Sequence, residues 1–364
     1  MTADQAASVS GINAPGASGD ARGLMPTESE QAAATAMLRL IWGIHSSRAV
    51  YAAAKLGIAD LLVDGPASCR ELARATGAHE PSLYRVLRLL AALGVFDEVE
   101  PGSFGLTVLG DRLRSDVPAG MRSWAVFLEA TGGVQPFEHI LETVRTGQPG
   151  MDIAFGTGIF EFLAQRPDNA ATFDAAMSER TAAFASSVAD GYDFSDIRSV
   201  VDVGGGKGTL LAEVLRRHSH LHGTLFETTA VAARAEAVLD GADLADRCEL
   251  LAGDFFEHVP PGADCYVLAN VLHDWDDGQA IDILRNCHRS MAGGGRVLIV
   301  ERLIPDEPGD AVPTLLSDLN MLVITGGRER TNAEYADLLE RAGLKIASVR
   351  AVAFPYGIIE GFRA

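Results

Sequence analysis

Four glycines within five positions constrain the fold of this chain more than any other feature: Gly204, Gly205, Gly206 and Gly208. The valines of residues 199–203 predict a short buried strand before them, and the apolar residues of 210–215 recur at helical spacing after them. The glycines therefore occupy a turn from a strand into a helix. Because glycine lacks a Cβ and tolerates positive φ, a ligand can approach this backbone closely, and the free N–H groups at the helix start point toward it.

The spacing of these glycines indicates the class of ligand. A dinucleotide fingerprint of the form G-x-G-x-x-G needs glycine at position 209, where the chain has Thr209. A phosphate-binding loop needs Ser or Thr directly after its lysine, but Lys207 is followed by Gly208. The remaining pattern, G-x-G-x-G, is typical of nucleoside binders such as S-adenosylmethionine enzymes. A glycine turn without a ligand is the alternative interpretation.

Length and charge limit the classes of protein to consider. The chain has 364 residues, enough for two domains, and its net charge of −19 argues against a nucleic-acid partner, because phosphate binding needs a cationic face. Its four cysteines form no C-x-x-C pair and lack metal-ligand spacing with histidine, which favours reduced thiols, a cytoplasmic location and no metal site. We expect no signal peptide and no membrane contact, since no apolar run approaches about 18–20 residues.

The N-terminal part of the chain divides into a tail and a small domain. Residues 1–32 are rich in Ala, Gly and Ser, and we expect a disordered tail there. Residues 33–115 combine apolar helical stripes, a capping box that starts at Ser68, and a predicted β-hairpin formed by residues 95–99 and 103–107. This order of helices and hairpin predicts a winged helix.

A winged helix raises the hypothesis of a DNA-binding regulator without catalysis. The helix that would enter the major groove carries only Arg85 and Arg88 as exposed cations, whereas the hairpin carries Asp97, Glu98 and Glu100. A surface that reads DNA is more basic than this. We therefore expect the domain to pack against protein in a two-fold homodimer, with the regulator as the alternative function.

The remainder of the chain predicts a helical segment followed by an α/β domain. Residues 116–195 are expected to be all-helical, to link the domains and to supply part of a substrate pocket from their many large apolar side chains. Residues 196–364 alternate strands and helices, which predicts a Rossmann-like, mostly parallel sheet. Two last strands, at residues 346–354 and 357–362, are expected to form an antiparallel hairpin at the sheet edge.

Five successive predicted strands of this sheet end at the glycine turn or at an ionisable residue: Gly204, Glu227, Asp254, His273 and Glu301. Ligands of open α/β sheets bind outside the carboxyl ends of the strands, so these residues predict one site. Glu227 is placed to accept hydrogen bonds from both ribose hydroxyls, and Asp254 is placed to accept one from the exocyclic amine of adenine. His273 suits a general base that Glu301 would orient, although a structural histidine is the alternative.

Four segments together resemble the S-adenosylmethionine-dependent O-methyltransferases: DVGGGKG at 202–208, GDFF at 253–256, LHDWDD at 272–277 and DLNMLVITGGRERT at 318–331. This class includes the plant caffeate O-methyltransferases and bacterial enzymes that tailor antibiotics and polyketides. The resemblance covers about residues 33–364. It implies a class I methyltransferase fold with an N-terminal dimerisation domain, S-adenosylmethionine as cofactor with S-adenosylhomocysteine as product, no metal, and a small hydroxylated acceptor that is expected to be aromatic.

The resemblance also implies roles for individual residues. It assigns cofactor contacts to eight of them: Asp202, Gly204, Gly206, Glu227, Gly253, Asp254, Phe255 and Ala269. It assigns the base to His273 and the two flanking glutamates to Glu301 and Glu329. It assigns acceptor contacts to four residues: Met177, Asp274, Trp275 and Met321.

Two departures from the family pattern bear on the cofactor contacts. The family often has Asp-Leu-Pro after the second strand, where this chain has Glu227 followed by two threonines. Plant members have a lysine where this chain has Ala269, so contacts from that strand are expected from the main chain. An NAD-dependent oxidoreductase is disfavoured by Thr209, and a relative that binds the cofactor without turnover is disfavoured by the presence of His273.

Overall fold

A computed structural model describes residues 27–117, 120–241, 244–305 and 311–363. The chain divides into two units, residues 1–46 and residues 47–364. The expected disordered tail falls mostly on residues 1–26, outside the described ranges, and its predicted end at residue 32 is wrong. Helix α1 (Glu28–Ile41) begins earlier, because Thr27 and Glu30 form a capping box in which each side chain accepts from the other's backbone N–H.

The winged-helix prediction is confirmed. After α2 (Gly43–Leu56) and α3 (Ile58–Leu61), the domain consists of β1 (Ala67–Ser68), α4 (Cys69–Thr76), α5 (Glu80–Ala92), β2 (Phe96–Glu100), β3 (Ser103–Leu106) and α6 (Val108–Asp111). Its antiparallel sheet has the order β1-β3-β2. Strand β1 was not predicted, because two residues carry no recognisable alternation. Leu72, Leu87 and Phe104 are among the buried residues of its core.

The middle of the chain is helical, as predicted. It consists of α7 (Arg122–Ala130), α8 (Gln135–Glu138), α9 (Ile140–Thr146), α10 (Gly150–Phe155), α11 (Ile159–Ala164) and α12 (Pro167–Gly191). The long helix α12 packs against α7 on one side and against the first helix of the C-terminal domain on another. None of the helices in the described part of the chain is long and apolar enough to cross a lipid bilayer.

The C-terminal domain is built on a mostly parallel sheet. Its first part consists of β4 (Ser199–Val203), α13 (Thr209–Arg217), β5 (His222–Glu227), α14 (Thr229–Gly241), β6 (Cys248–Ala252), β7 (Cys265–Ala269) and α15 (Asp277–Ser290). Its second part consists of β8 (Arg296–Ile304), α16 (Val312–Ile324), β9 (Arg330–Thr331), α17 (Asn332–Arg341), β10 (Leu344–Ala351) and β11 (Tyr356–Arg363).

The strand order is β10-β11-β8-β7-β4-β5-β6, with β9 parallel to the end of β8. Strands β10 and β11 are antiparallel and form the expected hairpin at the edge. Apolar clusters cover both faces of the sheet, with Leu211 and Leu225 in one and Tyr266 and Leu284 in the other. This arrangement confirms the predicted Rossmann-like α/β fold.

Two predicted strand ends were wrong, and both errors concern the site. The fourth strand of the prediction continued to His273, but β7 stops at Ala269, because Asn270 has a left-handed φ of 54°. His273 therefore lies in a short 3₁₀ turn, Leu272–Asp274. The next strand was predicted to end at Glu301, but β8 continues to Ile304, since β11 pairs with it as far as Arg302 and β9 pairs with its last two residues.

Candidate functional site

The glycine turn leaves the end of β4 with three residues in the left-handed region, Gly204, Gly206 and Gly208, whose φ values are 70°, 61° and 76°. A side chain at any of them would be strained. A Cβ on Gly204 would lie 3.0 Å from the Val271 side chain, whereas a Cβ on Gly206 would meet nothing within 4 Å. The backbone thus comes close to its neighbours on one side and faces open space on the other.

A cavity of about 1260 Å³ opens beside this turn. Six of the eight predicted cofactor residues line it: Gly204, Gly206, Glu227, Asp254, Phe255 and Ala269. Asp202 and Gly253 do not. Asp202 is buried beneath the turn, where a Cβ on Gly205 would clash with its carboxylate, and burial raises its pKa to about 7. Gly253 instead leaves room for the ring of Phe226.

Glu227 is fixed by the backbone around it. Its Oε1 accepts from the Gly206 N–H at 3.0 Å and its Oε2 accepts from the Thr228 N–H at 2.8 Å. Burial raises the pKa of this carboxyl above its usual range. Each oxygen retains acceptor capacity at the cavity, which fits the two adjacent hydroxyls of a ribose. The turn and this carboxylate therefore suit the nucleoside part of S-adenosylmethionine.

Part of the cavity wall is aromatic and flat. Trp124 stacks on Phe127 with ring centroids 4.7 Å apart and an interplanar angle of 8°, and Phe160 stacks on Trp275 at 5.5 Å and 23°. All four predicted acceptor residues line this cavity: Met177, Asp274, Trp275 and Met321. Such walls favour a planar organic ligand. Asn270 also lines the cavity and was missed; its only signal is its place directly after a strand.

His273 lies between the cavity and two buried glutamates. Its Nδ1 is 2.7 Å from Glu301 Oε2 and 3.8 Å from Glu329 Oε2. The other oxygen of Glu301 accepts from the backbone N–H groups of Val271 and Leu272, at 3.0 and 2.9 Å. Since one carboxylate binds both the ring and the turn that carries it, the imidazole is fixed in orientation. The predicted neighbourhood of His273, Glu301 and Glu329 is present in the structure.

The charges around His273 decide its protonation. Burial alone would lower its pKa, but the negative charges of Glu301, Glu329 and Asp274, with the hydrogen bond to Glu301, raise it to about 9. Burial raises the pKa of Glu329, and it raises that of Asp274 to about 6. These charges therefore favour a protonated imidazole at neutral pH. A positive charge bound nearby lowers its pKa.

The same three side chains are close enough together to be considered as metal ligands, since their ligand atoms lie within 4.8 Å of one another. The distance of 2.7 Å between His273 Nδ1 and Glu301 Oε2 is that of a charge-assisted hydrogen bond, so a proton lies between these two atoms. The second oxygen of Glu301 is occupied by two backbone donors. This geometry favours an acid–base cluster over a metal site.

Arg330 holds the turn that carries His273. Its side chain is fully buried, and its guanidinium donates to the carbonyl oxygens of Leu272 at 2.9 Å and Trp275 at 2.8 Å. The same group donates to Asp277 at the start of α15, at 2.8 Å. One planar cation thus ties both ends of the 3₁₀ turn to the next helix. Sequence reasoning missed this residue, although it lies inside the motif at 318–331.

The backbone before β9 also contacts this turn. The Arg328 N–H donates to the carbonyl oxygen of His273 at 2.8 Å. A Cβ on Gly327 would clash with that same oxygen. The close approach of the two segments explains a glycine at this position, and it brings Glu329 beside His273.

Comparison with known proteins gives the class and then the family. The mostly parallel sheet, glycine turn and ribose-type carboxylate define a class I S-adenosylmethionine methyltransferase. The O-methyltransferase domain family matches residues 137–345, and the O-methyltransferase dimerisation domain matches residues 38–116. The chain belongs to this O-methyltransferase family.

Relatives of this chain act in natural-product biosynthesis. The phenazine O-methyltransferase PhzM of Lysobacter antibioticus is 40% identical over 92% of this chain and 98% of that protein. The crystal structure of the O-methyltransferase NcsB1 from neocarzinostatin biosynthesis, in complex with S-adenosylmethionine and 2-hydroxy-5-methyl naphthoic acid, is 37% identical, has a TM-score of 0.77, and matches 87% of this chain and 96% of that chain.

The family also contains another activity. The aclacinomycin 10-hydroxylase RdmB of Streptomyces purpurascens is 37% identical over 89% of this chain and 89% of that protein. At about 40% identity over most of its length to curated O-methyltransferases, this chain is an S-adenosylmethionine-dependent O-methyltransferase.

Replacing Arg330 by Lys should disturb the 3₁₀ turn that carries His273 more than the part of the cavity beside the glycine turn. A lysine cannot span two carbonyls and a carboxylate, and each lost charge-assisted bond is worth about 1.5–3 kcal/mol, or about 10- to 150-fold. We expect kcat to fall by about tenfold or more while the KM for S-adenosylmethionine changes less than about twofold. Steady-state kinetics tests this, with the exposed Arg341→Lys as the matched control. An unchanged kcat would contradict the role.

Replacing Glu227 by Gln should weaken cofactor binding. The substitution removes the negative charge of a carboxylate that lines the cavity beside the glycine turn, so we expect the affinity for S-adenosylhomocysteine to fall about 10- to 100-fold. Isothermal titration calorimetry measures this directly. The exposed Glu249→Gln, outside the cavity, serves as control and should bind as the wild type does. Equal affinities of the two variants would remove Glu227 from the site.

Proposed function

We propose that this enzyme methylates a hydroxyl group of a small aromatic natural product, with His273 as the general base. One observation carries the proposal: His273 lines the cavity while its Nδ1 is bound to Glu301 at 2.7 Å. Its Nε2 lies 3.7 Å from the nearest Asp274 oxygen, too far for a hydrogen bond. This nitrogen is therefore available to accept a proton from a ligand in the cavity.

Different residues bind the cofactor, orient the acceptor and remove the proton of the acceptor. Glu227 and the glycine turn bind the nucleoside, and the stacked aromatic walls orient a flat acceptor. Bound S-adenosylmethionine supplies a methyl group on a positively charged sulfur. His273 Nε2 removes the proton from the acceptor hydroxyl, and the oxygen then forms its bond to the methyl carbon as the carbon–sulfur bond breaks. Much of the rate enhancement comes from positioning, because the methyl group is already activated.

The two glutamates control the proton on His273. Glu301 accepts from Nδ1–H, which leaves the lone pair on Nε2, and it stabilises the imidazolium after proton transfer. Glu329 adds a second negative charge 3.8 Å away. The same charges make the imidazole more basic than a free one. The positive charge of the bound cofactor opposes them, so its binding favours the neutral base that catalysis needs.

We further propose that the enzyme is a cytoplasmic homodimer that binds no nucleic acid or membrane. The match of residues 38–116 to a dimerisation domain and the exposed apolar side chains of α1, such as Leu40 and Ile41, support the dimer. The four cysteines are free thiols, as expected in a reducing compartment. On α5, Arg88 packs over Tyr84, and the adjacent Glu98 accepts from the Tyr84 hydroxyl, so this surface is not a cationic one.

Replacing His273 by Ala should reduce methyl transfer by about 10²–10⁴-fold, the contribution of a general base. Binding of S-adenosylhomocysteine should stay within about twofold of the wild type, because Glu227 and the glycine turn are untouched. A radiolabelled methyl-transfer assay and calorimetry measure the two quantities. His222→Ala, an exposed histidine at the start of β5, is the control. Turnover near that of the wild type would exclude His273 as the base.

The rate should rise with pH because only neutral His273 can accept a proton. A bound cation lowers its pKa from about 9, so kcat/KM for the acceptor should increase up to tenfold per pH unit and level off at or below pH 9. The measurement uses saturating S-adenosylmethionine from pH 6 to 9.5. A profile that falls with rising pH across the range 6–8 would contradict the assignment.

A further inference from the structure

The aromatic part of the cavity wall contains a cation that the mechanism does not use. Four cationic side chains line the cavity as a whole: Arg180, Lys207, Arg234 and Arg302. Lys207 belongs to the glycine turn. Arg234 forms an ion pair with Asp174 at 2.6 Å. Arg302 donates to the Tyr356 hydroxyl at 3.2 Å and packs on its ring.

Arg180 differs from these three. Its Nε is buried and has no hydrogen-bond partner among the described residues. The guanidinium carbon lies 5.9 Å from the centroid of the Trp124 ring, which is one of the stacked aromatic walls. Arg180 follows Met177 by three positions on α12, so both side chains lie on the face of that helix that borders the cavity. A buried donor without an acceptor costs about 1–3 kcal/mol, which a ligand can relieve.

We propose that Arg180 binds a carboxylate carried by the aromatic acceptor. This proposal rests on the proposed function and narrows it from hydroxylated aromatics to hydroxylated aromatic acids. A guanidinium presents parallel N–H groups that match the two oxygens of a carboxylate in plane. The neighbouring tryptophan ring keeps that plane beside a flat acceptor. The aromatic wall thus presents one positively charged hydrogen-bond donor in apolar surroundings. Such an arrangement selects for a ligand with a single polar substituent.

The charge balance favours a carboxylate over a phosphate. Among the described residues that line the cavity, Arg180 has a buried Nε without a partner, whereas Arg234 pairs with Asp174 and the Nε of Arg302 donates to Tyr356. One such charge neutralises a monoanion but leaves a dianion uncompensated in a low-dielectric cavity. Asp274 also lines the cavity, and its negative charge opposes a second negative charge on the ligand.

A competing role is that Arg180 serves only as counter-ion to Asp274, whose pKa it lowers. The two roles give different results with matched ligands. A counter-ion affects the binding of neutral and acidic acceptors alike, whereas a carboxylate receptor affects the acid alone.

The experiment is a calorimetric titration of the intact enzyme saturated with S-adenosylhomocysteine. The probes are 2-naphthol, 3-hydroxy-2-naphthoic acid and 6-hydroxy-2-naphthoic acid, which place the carboxylate at two distances from the hydroxyl. We expect the wild type to bind at least one acid about tenfold or more tightly than 2-naphthol. Arg180→Met should lower the affinity for that acid by about 10- to 100-fold and the affinity for 2-naphthol by less than about twofold. Arg180→Lys should restore part of the preference, and the exposed Arg166→Met should leave it unchanged.

The other outcomes overturn the proposal. If Arg180→Met weakens the binding of the acid and of 2-naphthol equally, Arg180 serves only as the counter-ion of Asp274. A wild type that binds or methylates 2-naphthol but binds neither acid more tightly contradicts the role of Arg180 as a carboxylate receptor. The methyltransferase function stands in that case. A wild type that binds S-adenosylhomocysteine but none of the three probes also contradicts this role of Arg180. Failure to bind S-adenosylhomocysteine removes the proposed function, and this proposal with it.

Discussion

The hydrogen bond between His273 Nδ1 and Glu301 Oε2 determines how the rest of the catalytic domain must be built. Both groups are buried, so each needs partners that replace the water it has lost. Strand β8 continues past the end of β7 and thereby brings Glu301 beneath the turn that carries His273. The second oxygen of Glu301 binds the backbone of that turn, so the position of the imidazole follows from the register of two parallel strands.

Arg330 completes this arrangement from the other side. A fully buried cation that donates to two carbonyls and a carboxylate keeps the 3₁₀ turn from relaxing, while the close contact at Gly327 brings Glu329 beside the ring. Buried charges such as these are costly, so this cluster is not by itself a source of stability. What they provide is a basic imidazole at an apolar cavity. A base with a raised pKa suits a hydroxyl of a phenol, whose own pKa is near 10.

The sequence allowed the fold to be predicted because its signals are local. The glycine turn, the alternation of strands and helices, and the capping boxes each depend on a few adjacent residues. Glu227 and His273 could be predicted as site residues, because the carboxyl ends of parallel strands meet at one edge of the sheet. The exact ends of β7 and β8 could not be predicted, since they depend on the positive φ of Asn270 and on pairing with β11 and β9. Arg180 and Arg330 were missed because a guanidinium acquires its role from distant partners.

The most direct test of His273 as the base compares acceptors of different acidity under single-turnover conditions. Phenols that ionise on their own at the working pH need no base, whereas weakly acidic phenols do. We expect His273→Ala to lose about 10²–10⁴-fold in rate with phenols of pKa near 10 and progressively less with phenols of pKa near 7. A deficit of the same size for every acceptor would show that His273 positions ligands or supports the fold, and would contradict its role as a base.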